Sequence, residues 1–213
     1  MKDNVFFVSG IDTNVGKSYA TGYLAKTWNE QGVRTITQKF IQTGNVGMSE
    51  DIELHRKIMG TGLLPEDESG LTMPEIFTYP CSPHLAAEID HRPIDFDKIE
   101  KATRQLSETY DAVLLEGAGG LMVPLTRDLL TIDYVAQKNY PLIFVTSGKL
   151  GSINHTLLSL EAITRRGIHL HTVAYNLFPE EDDDIIRRDT EAYIRDLLAK
   201  EYPETHFVVV PKL

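Results

Sequence analysis

The sequence predicts a three-layer, doubly wound α/β fold built on a mostly parallel sheet. Three observations carry this expectation. Short, continuously apolar runs alternate with longer stretches of helical period; glycine, proline or asparagine bounds the apolar runs; and glycine-rich segments follow directly after strands. A strand covered by helices on both faces reads as an unbroken apolar run, the signature of a parallel sheet.

Residues 5–9 (VFFVS) form a buried strand ended by Gly10, and residues 17–31 follow as a helix stopped by Gly32. Residues 33–37 (VRTIT) are β-branched and strand-like, and 51–59 read as a helix ending at Gly60. Pro65, Ser69, Gly70 and Pro74 make residues 60–75 a loop, before a short strand at 75–79. Asp95 caps a helix that carries Phe96, Ile99, Ala102 and Leu106 on one face. Residues 112–115 are a buried strand running into Glu116-Gly-Ala-Gly-Gly120. Residues 141–146 (PLIFVT) are another, followed by a helix over 152–166; a strand at 172–175 ends at Asn176. A helix over 184–200 and a strand at 207–210 complete the sheet. With no repeat, linker or low-complexity tract, residues 1–213 are expected to form one domain. Ligands of such folds sit beyond the C-terminal strand ends, which brings 10–18, 39–44, 116–120, 146–151 and Asn176 to one edge.

Composition narrows the partners. With 21 Lys+Arg against 31 Asp+Glu the net charge is −10, which argues against nucleic acid, since neutralising phosphates needs clustered cations. Apolar residues at 42% and charged residues at 24% suit a soluble globular chain rather than a disordered one. No stretch approaches the ~20 apolar residues that span a bilayer, and the N-terminus does not read as a signal peptide. One cysteine, Cys81, makes no internal disulfide and fits a reducing, cytoplasmic location.

Gly10-Ile-Asp12-Thr13-Asn14-Val15-Gly16-Lys17-Ser18 lies between a strand and a helix, the context of a P-loop, though with five rather than four residues before Gly-Lys. Glycines let backbone N–H groups face a phosphate, and the helix N-terminus adds partial positive charge. Lys17 would reach the β- and γ-phosphates and the Ser18 hydroxyl would ligate Mg²⁺. Glu116, at a buried strand end, and Asp51, at a helix start, are the carboxylates to complete that metal site, although Asp51 also suits a helix N-cap. A buried charge before Gly-Ala-Gly-Gly asks for a cation.

Together these segments resemble the dethiobiotin synthetase family, a P-loop NTPase-like group. The loop resembles the family's G-T-D-T-x-V-G-K-T; Lys39-Phe40-Ile-Gln-Thr43-Gly44 resembles K-P-x-x-[ST]-G; and Ser82-Pro83-His84 resembles S-P-H. Val113-Leu-Leu-Glu116-Gly117-Ala-Gly119-Gly120 is similar to V-E-G-A-G-G, Gly151-Ser152-Ile-Asn154-His155 to G-x-I-N-H, and Asn176 stands where the family keeps an adenine-reading asparagine. The resemblance covers nearly the whole chain. It implies ring closure of 7,8-diaminononanoate with CO₂ and ATP to dethiobiotin, with Mg²⁺, through a carbamate and a carbamic–phosphoric anhydride. It implies that Lys39, Lys17 and Thr13 are catalytic, and that Thr43, Thr13 and Lys39 hold the carbamate. Leu150, Gly151, Ser152 and Asn154 would hold the substrate carboxylate from the partner subunit of a homodimer. The nucleotide would contact residues 12–18, Tyr19, Glu116, Gly117, Gly119, Asn176, Pro211 and Leu213. Positive charge between two anions is the physical demand of this path, and Lys17 and Lys39 supply it.

The chain departs from the family pattern at Asn14, usually acidic, at Ser18, usually threonine, and at Phe40, usually proline. Family members often continue past the counterpart of Pro211-Lys-Leu213 with a further helix. Either Tyr193 or Arg188 of the last helix is the expected carboxylate contact.

Other features read as structural. His169 and His171 alternate on a strand and point one way, without a third ligand; His84 and His155 suit loop hydrogen bonds; Cys81 has no adjacent base. The acidic run at 180–184 favours a helix entrance. A nucleotide-driven switch of the partition-ATPase type is the alternative, but its additional lysine is missing from Ile11-Asp12-Thr13. An amidotransferase-type synthetase would need a glutaminase domain for which 213 residues leave no room.

Overall fold

Six of the apolar runs pair side by side. The computed structural model describes residues 4–178 and 183–212; Leu213 and the acidic positions 180–182 lie outside the described residues. The elements are β1 (Val5–Gly10), α1 (Lys17–Glu30), β2 (Thr35–Lys39), β3 (Gln42–Thr43), α2 (Glu50–Met59), α3 (Pro65–Glu68), β4 (Ile76–Phe77) and α4 (Pro83–Ile89). There follow α5 (Phe96–Thr109), β5 (Ala112–Glu116), α6 (Thr131–Lys138), β6 (Leu142–Ser147), α7 (Ser152–Arg165), β7 (Leu170–Asn176), α8 (Asp184–Glu201) and β8 (His206–Val210). The large sheet has the order β2-β5-β1-β6-β7-β8 with every neighbouring pair parallel. Strands β3 and β4 form a small parallel sheet of their own.

Alternation along each strand sends side chains to two cores. Phe7, Leu115, Phe144 and Val173 face Leu106 of α5, Val135 of α6, Leu160 of α7 and Leu198 of α8. Val8, Leu114, Ile143, Val145 and Ala174 face Ala20 and Leu24 of α1. Each fully buried aliphatic or aromatic side chain stabilises the fold by about 1.5–3 kcal/mol. Helix α2 lies against α1 at Gly22, where a Cβ would stand 3.1 Å from Ile58 side-chain atoms and 3.3 Å from the His55 Cα. An added Cβ would be held tighter than most such contacts, and the neighbours would have to shift by a few tenths of an ångström.

Several boundaries differ from the sequence expectation. Strand β2 begins at Thr35 rather than 33, because the Val33 N–H donates to the Trp28 carbonyl at the end of α1, at 2.9 Å, and the Arg34 N–H to the Asp111 carboxylate, at 3.1 Å. The strand runs on to Lys39, which pairs in register with Glu116. Segment 60–75 is not wholly loop: Pro65 opens α3, and the Asp67 carboxylate accepts from the Leu64 N–H at 2.7 Å. Strand β4 covers only two residues of the expected 75–79. Elements β3, α4 and α6 were not expected at all.

One buried ion pair ties α2 to α3. Arg56, 2% exposed, donates from Nε and Nη2 to the two Asp67 oxygens at 2.8 Å each, and the Thr72 hydroxyl donates to Asp67 at 2.6 Å. Burial pushes the Asp67 carboxyl up, but the bonds from Arg56, Thr72 and the Leu64 N–H outweigh it and hold the group below its ordinary value. Its contribution to stability is thus complete above the unfolded value of ~3.9 and is lost as pH falls below that. Asp67→Asn is expected to lower unfolding free energy by about 3–5 kcal/mol at pH 7, because Arg56 is left buried and unpaired. Urea denaturation from pH 3 to 7 measures both effects; a variant as stable as the parent at pH 7 would refute the assignment.

Candidate active site

The sheet topology puts five loops around one cleft. It has a volume of about 900 Å³ and is lined by residues from the loop after β1, the tips of β2, β3 and β5, the start of α2, segment 80–83, Lys149 and Phe178.

The loop after β1 owes its path to its glycines. Gly16 has φ 82°, and a Cβ there would stand 2.1 Å from the Asn176 Nδ2; at Gly10 a Cβ would meet Val15 at 2.7 Å. Asp12, Thr13 and Asn14 are exposed at the turn, and the Asp12 carboxylate accepts from the Thr13 N–H at 2.7 Å. Val15 instead packs into the core under α1. Lys17, 5% exposed, folds back so that Nζ donates to the Asp12 and Thr13 carbonyls at 2.9 and 3.1 Å. Burial, and then the neighbouring Lys39 ammonium, push Lys17 down to about 8.

Beside it four polar side chains converge. The Ser18 hydroxyl lies 2.6 Å from Asp51 Oδ1 and 2.9 Å from Glu116 Oε1. Lys39 Nζ lies 2.5 Å from Asp51 Oδ2, 2.9 Å from Glu116 Oε1 and 3.3 Å from the Gly117 carbonyl. Burial would push Lys39 down, yet Glu116 and Asp51 hold it above its usual range. Glu116 is 0% exposed; burial pushes it up, but Lys39 and His55 hold it well below the usual carboxylate range. Ser49, not Asp51, caps α2, its hydroxyl accepting from the Ile52 N–H at 3.2 Å. Asp51 is thereby left to face Ser18 and Lys39.

This donor set fits a hard divalent cation. A hydroxyl has one proton and so satisfies only one of the two carboxylates crowding it, while two carboxylates and a hydroxyl are what Mg²⁺ takes from a protein. Among the described residues no three His, Cys, Asp or Glu side chains form a metal cluster, so an ion held here would need further ligands from outside the chain.

The remaining expected residues divide by place. Thr43, on β3, lines the cleft with Lys39, as do Tyr19 and Gly119. Gly117 sits where a Cβ would strike the Phe7 ring at 2.9 Å. Asn176 is buried, and its Nδ2 donates to the Val15 carbonyl at 3.0 Å, bracing the loop; Pro211 follows β8 and is half-buried. Leu213 lies outside the described residues. Leu150, Gly151, Ser152 and Asn154 do not line this cleft, although their neighbour Lys149 does. Gly151 takes φ 95° before α7, and Leu150 is 73% exposed. Neither Tyr193 nor Arg188, both exposed on α8, lines the cleft; Arg188 lies 3.9 Å from Asp184.

Phe40 has a physical reason. Its ring packs 5.5 Å from Phe7 and 4.8 Å from Tyr134, and its N–H donates to the Glu116 carbonyl at 2.8 Å. A proline could not make that bond. His169 and His171 do share a face, joined by His206, with ring centroids 6.1 and 5.2 Å from His171. Cys81 lines the cleft, and burial pushes its thiol up.

Sequence reasoning missed His55, whose Nε2 is 2.8 Å from Glu116 Oε2, and Phe178, whose ring is 5.0 Å from Tyr19. The spacing of Asp51 and His55, four apart on one helix face, was the available signal for the first. Phe178 offered none.

The comparisons agree with this geometry. A family model described as an AAA domain matches residues 4–212. The chain is 53% identical over 206 residues to the ATP-dependent dethiobiotin synthetase BioD 2 of Pasteurella multocida, covering 97% of this chain and 96% of that one. It is 57% identical to the protein of the same name from Haemophilus influenzae, covering 86% and 96%, and 52% identical to the ATP-dependent dethiobiotin synthetase BioD of Chlorobaculum tepidum, covering 90% and 80%. Among solved structures, FtsY from Elizabethkingia anophelis in complex with GDP superimposes with a TM-score of 0.55 at 13% identity, over 99% of this chain and 58% of that one. Chloroplast FtsY from Physcomitrella patens gives 0.53 at 17%, over 100% and 60%. These two support the P-loop NTPase-like fold alone, whereas the extent and identity of the sequence matches show that the chain belongs to the ATP-dependent dethiobiotin synthetase family of enzymes.

Proposed function

We propose that the protein closes the ureido ring of dethiobiotin from 7,8-diaminononanoate, CO₂ and ATP, with Mg²⁺, in biotin biosynthesis in the cytoplasm. The convergence of Lys17 and Lys39 on a cleft floored by Ser18, Asp51 and Glu116 carries this reading. An amine of the substrate adds to CO₂, losing a proton and leaving a carbamate anion. A carbamate oxygen then attacks the γ-phosphorus and ADP departs. The second amine attacks the carbamoyl carbon, the ring closes and phosphate leaves. The substrate brings both nucleophiles, so the protein supplies position and charge.

Two anions must meet in the second step, and at ~4 Å their repulsion is about 4 kcal/mol at the effective dielectric of a protein surface. Lys39, at the β2 tip, and Lys17, in the loop after β1, stand where they offset it. Thr13 and Thr43 offer hydroxyl donors to the carbamate. Ser18, Asp51 and Glu116 would hold Mg²⁺, which when bound neutralises charge on the phosphate oxygens. Asp12 to Tyr19, Gly117, Gly119, Asn176, Pro211 and Leu213 are assigned to the nucleotide.

The carboxylate tail is assigned to Leu150, Gly151, Ser152 and Asn154 of a second copy. The exposure of Leu150 and Leu158, at 73% and 58%, supports this.

Three outcomes are expected. ADP release requires diaminononanoate and bicarbonate together, in a coupled ADP assay; ATPase activity indifferent to both would falsify the ligase reading. Lys39→Ala lowers turnover about a thousand-fold or more while nucleotide affinity stays within a few-fold, because charge is lost mainly from the transition state. Equal loss of nucleotide binding in calorimetry would place Lys39 differently. Leu158→Glu yields a monomer in sedimentation velocity and raises KM for the diamine, with nucleotide affinity unchanged; a variant that stays dimeric removes α7 from the interface.

A further inference from the structure

Behind the cleft, Glu116 continues into a buried line of polar side chains. Its Oε1 faces Ser18 and Lys39; its Oε2 faces His55 Nε2 at 2.8 Å. The other ring nitrogen, Nδ1, lies 3.1 Å from the Thr37 hydroxyl, which lies 2.8 Å from Arg56 Nη1. Arg56 is held in turn by both oxygens of Asp67. His55, Thr37 and Glu116 are all 0% exposed.

Each link has a direction. Arginine only donates, so Thr37 accepts from Arg56, and its single proton is then available to His55 Nδ1, the direction taken here. A ring accepting at Nδ1 carries its proton on Nε2 and donates it to Glu116. In this arrangement every donor in the line has an acceptor. The Arg56 charge is met by Asp67 at the far end, so the Glu116 charge remains for the cleft. Without the bond from His55, Oε2 would be a buried anionic oxygen lacking a partner, and the carboxylate would gain by turning toward Lys39.

We propose that Thr37, His55 and Arg56 are positioning residues that orient Glu116, setting by a one-way hydrogen-bond line how well the site holds a divalent cation on the nucleotide. This rests on the assignment of Ser18, Asp51 and Glu116 to Mg²⁺ under the proposed function. Partners one step behind a metal ligand typically change metal affinity 10–100-fold when removed.

The test uses the full chain and methylanthraniloyl-ATP fluorescence, measured in EDTA and across a Mg²⁺ titration. Thr37→Val keeps the shape of residue 37 and removes its hydroxyl. It is expected to raise the half-saturating Mg²⁺ about ten-fold while affinity in EDTA stays within two-fold, and Thr37→Ser is expected to restore the parental value. An unchanged Mg²⁺ requirement in Thr37→Val overturns the inference, and so does an equal loss in EDTA, which marks a purely structural role. If the parent protein itself binds the analogue with no dependence on Mg²⁺, the metal assignment falls instead. A measurement that needs no variant is the ¹⁵N spectrum of the histidine-labelled parent at pH 7.5, with His55 assigned through bonds to its backbone. A protonated Nε2 and a bare Nδ1 are expected; the reverse pattern overturns the inference.

Discussion

A carboxylate with no exposure to solvent is the constraint around which this protein is organised. Glu116 ends a strand whose other residues are all buried and apolar, so its charge has to be met by neighbours rather than water. Lys39 meets it from β2, in register across the sheet; Ser18 from α1; His55 from α2. The Phe40 N–H holds the Glu116 carbonyl as well, fastening backbone and side chain to the same segment. Three elements that also carry the cleft's other polar groups are thereby fixed relative to one another. Satisfying a buried charge and building the site are one operation here.

The same logic explains how an acidic chain handles anionic ligands. Carboxylates outnumber cations along the chain, yet Lys17 and Lys39 stand together against their mutual repulsion. Lys39 keeps its proton because two carboxylates face it, and Lys17, lacking such a pair, holds its proton less firmly. The two lysines thus enter binding in different electrostatic conditions although they adjoin one cleft. A phosphate would supply to Lys17 the anionic partner that Asp51 and Glu116 already supply to Lys39.

Much of this was legible in the residue order. The loop around Gly16-Lys17-Ser18, the strand ending in Glu116 and the alternation of apolar runs with helices depend on local chemistry, and local chemistry is visible in a window of ten residues. The failures share a cause. Strand β2 starts two residues late because the end of α1 takes the Val33 N–H and the distant Asp111 takes the Arg34 N–H. The role of His55 depends on Thr37 and Glu116, 18 and 61 positions away, and its own neighbourhood reads as an ordinary helix. By sequence alone Asp51 suits a cap and a ligand equally; the Ser49 hydroxyl fills the cap. Tertiary contacts decide each case, and the four-residue spacing of Asp51 and His55 marks a shared helix face without naming what that face meets.

Gly22 links the core to the cleft in a way that neither shows alone. It lies four residues beyond Ser18 on α1, and it faces the stretch of α2 that begins at His55, four residues beyond Asp51. The gap between two hydroxyl- and carboxylate-bearing helices is therefore gauged by an atom that is not there. A Cβ at this position would have to be taken up by a few tenths of an ångström of movement at Ile58 and His55, one turn from the oxygens of the site. A side chain at position 22 thus acts on two things at once, the packing of the core and the spacing of the oxygens at the site.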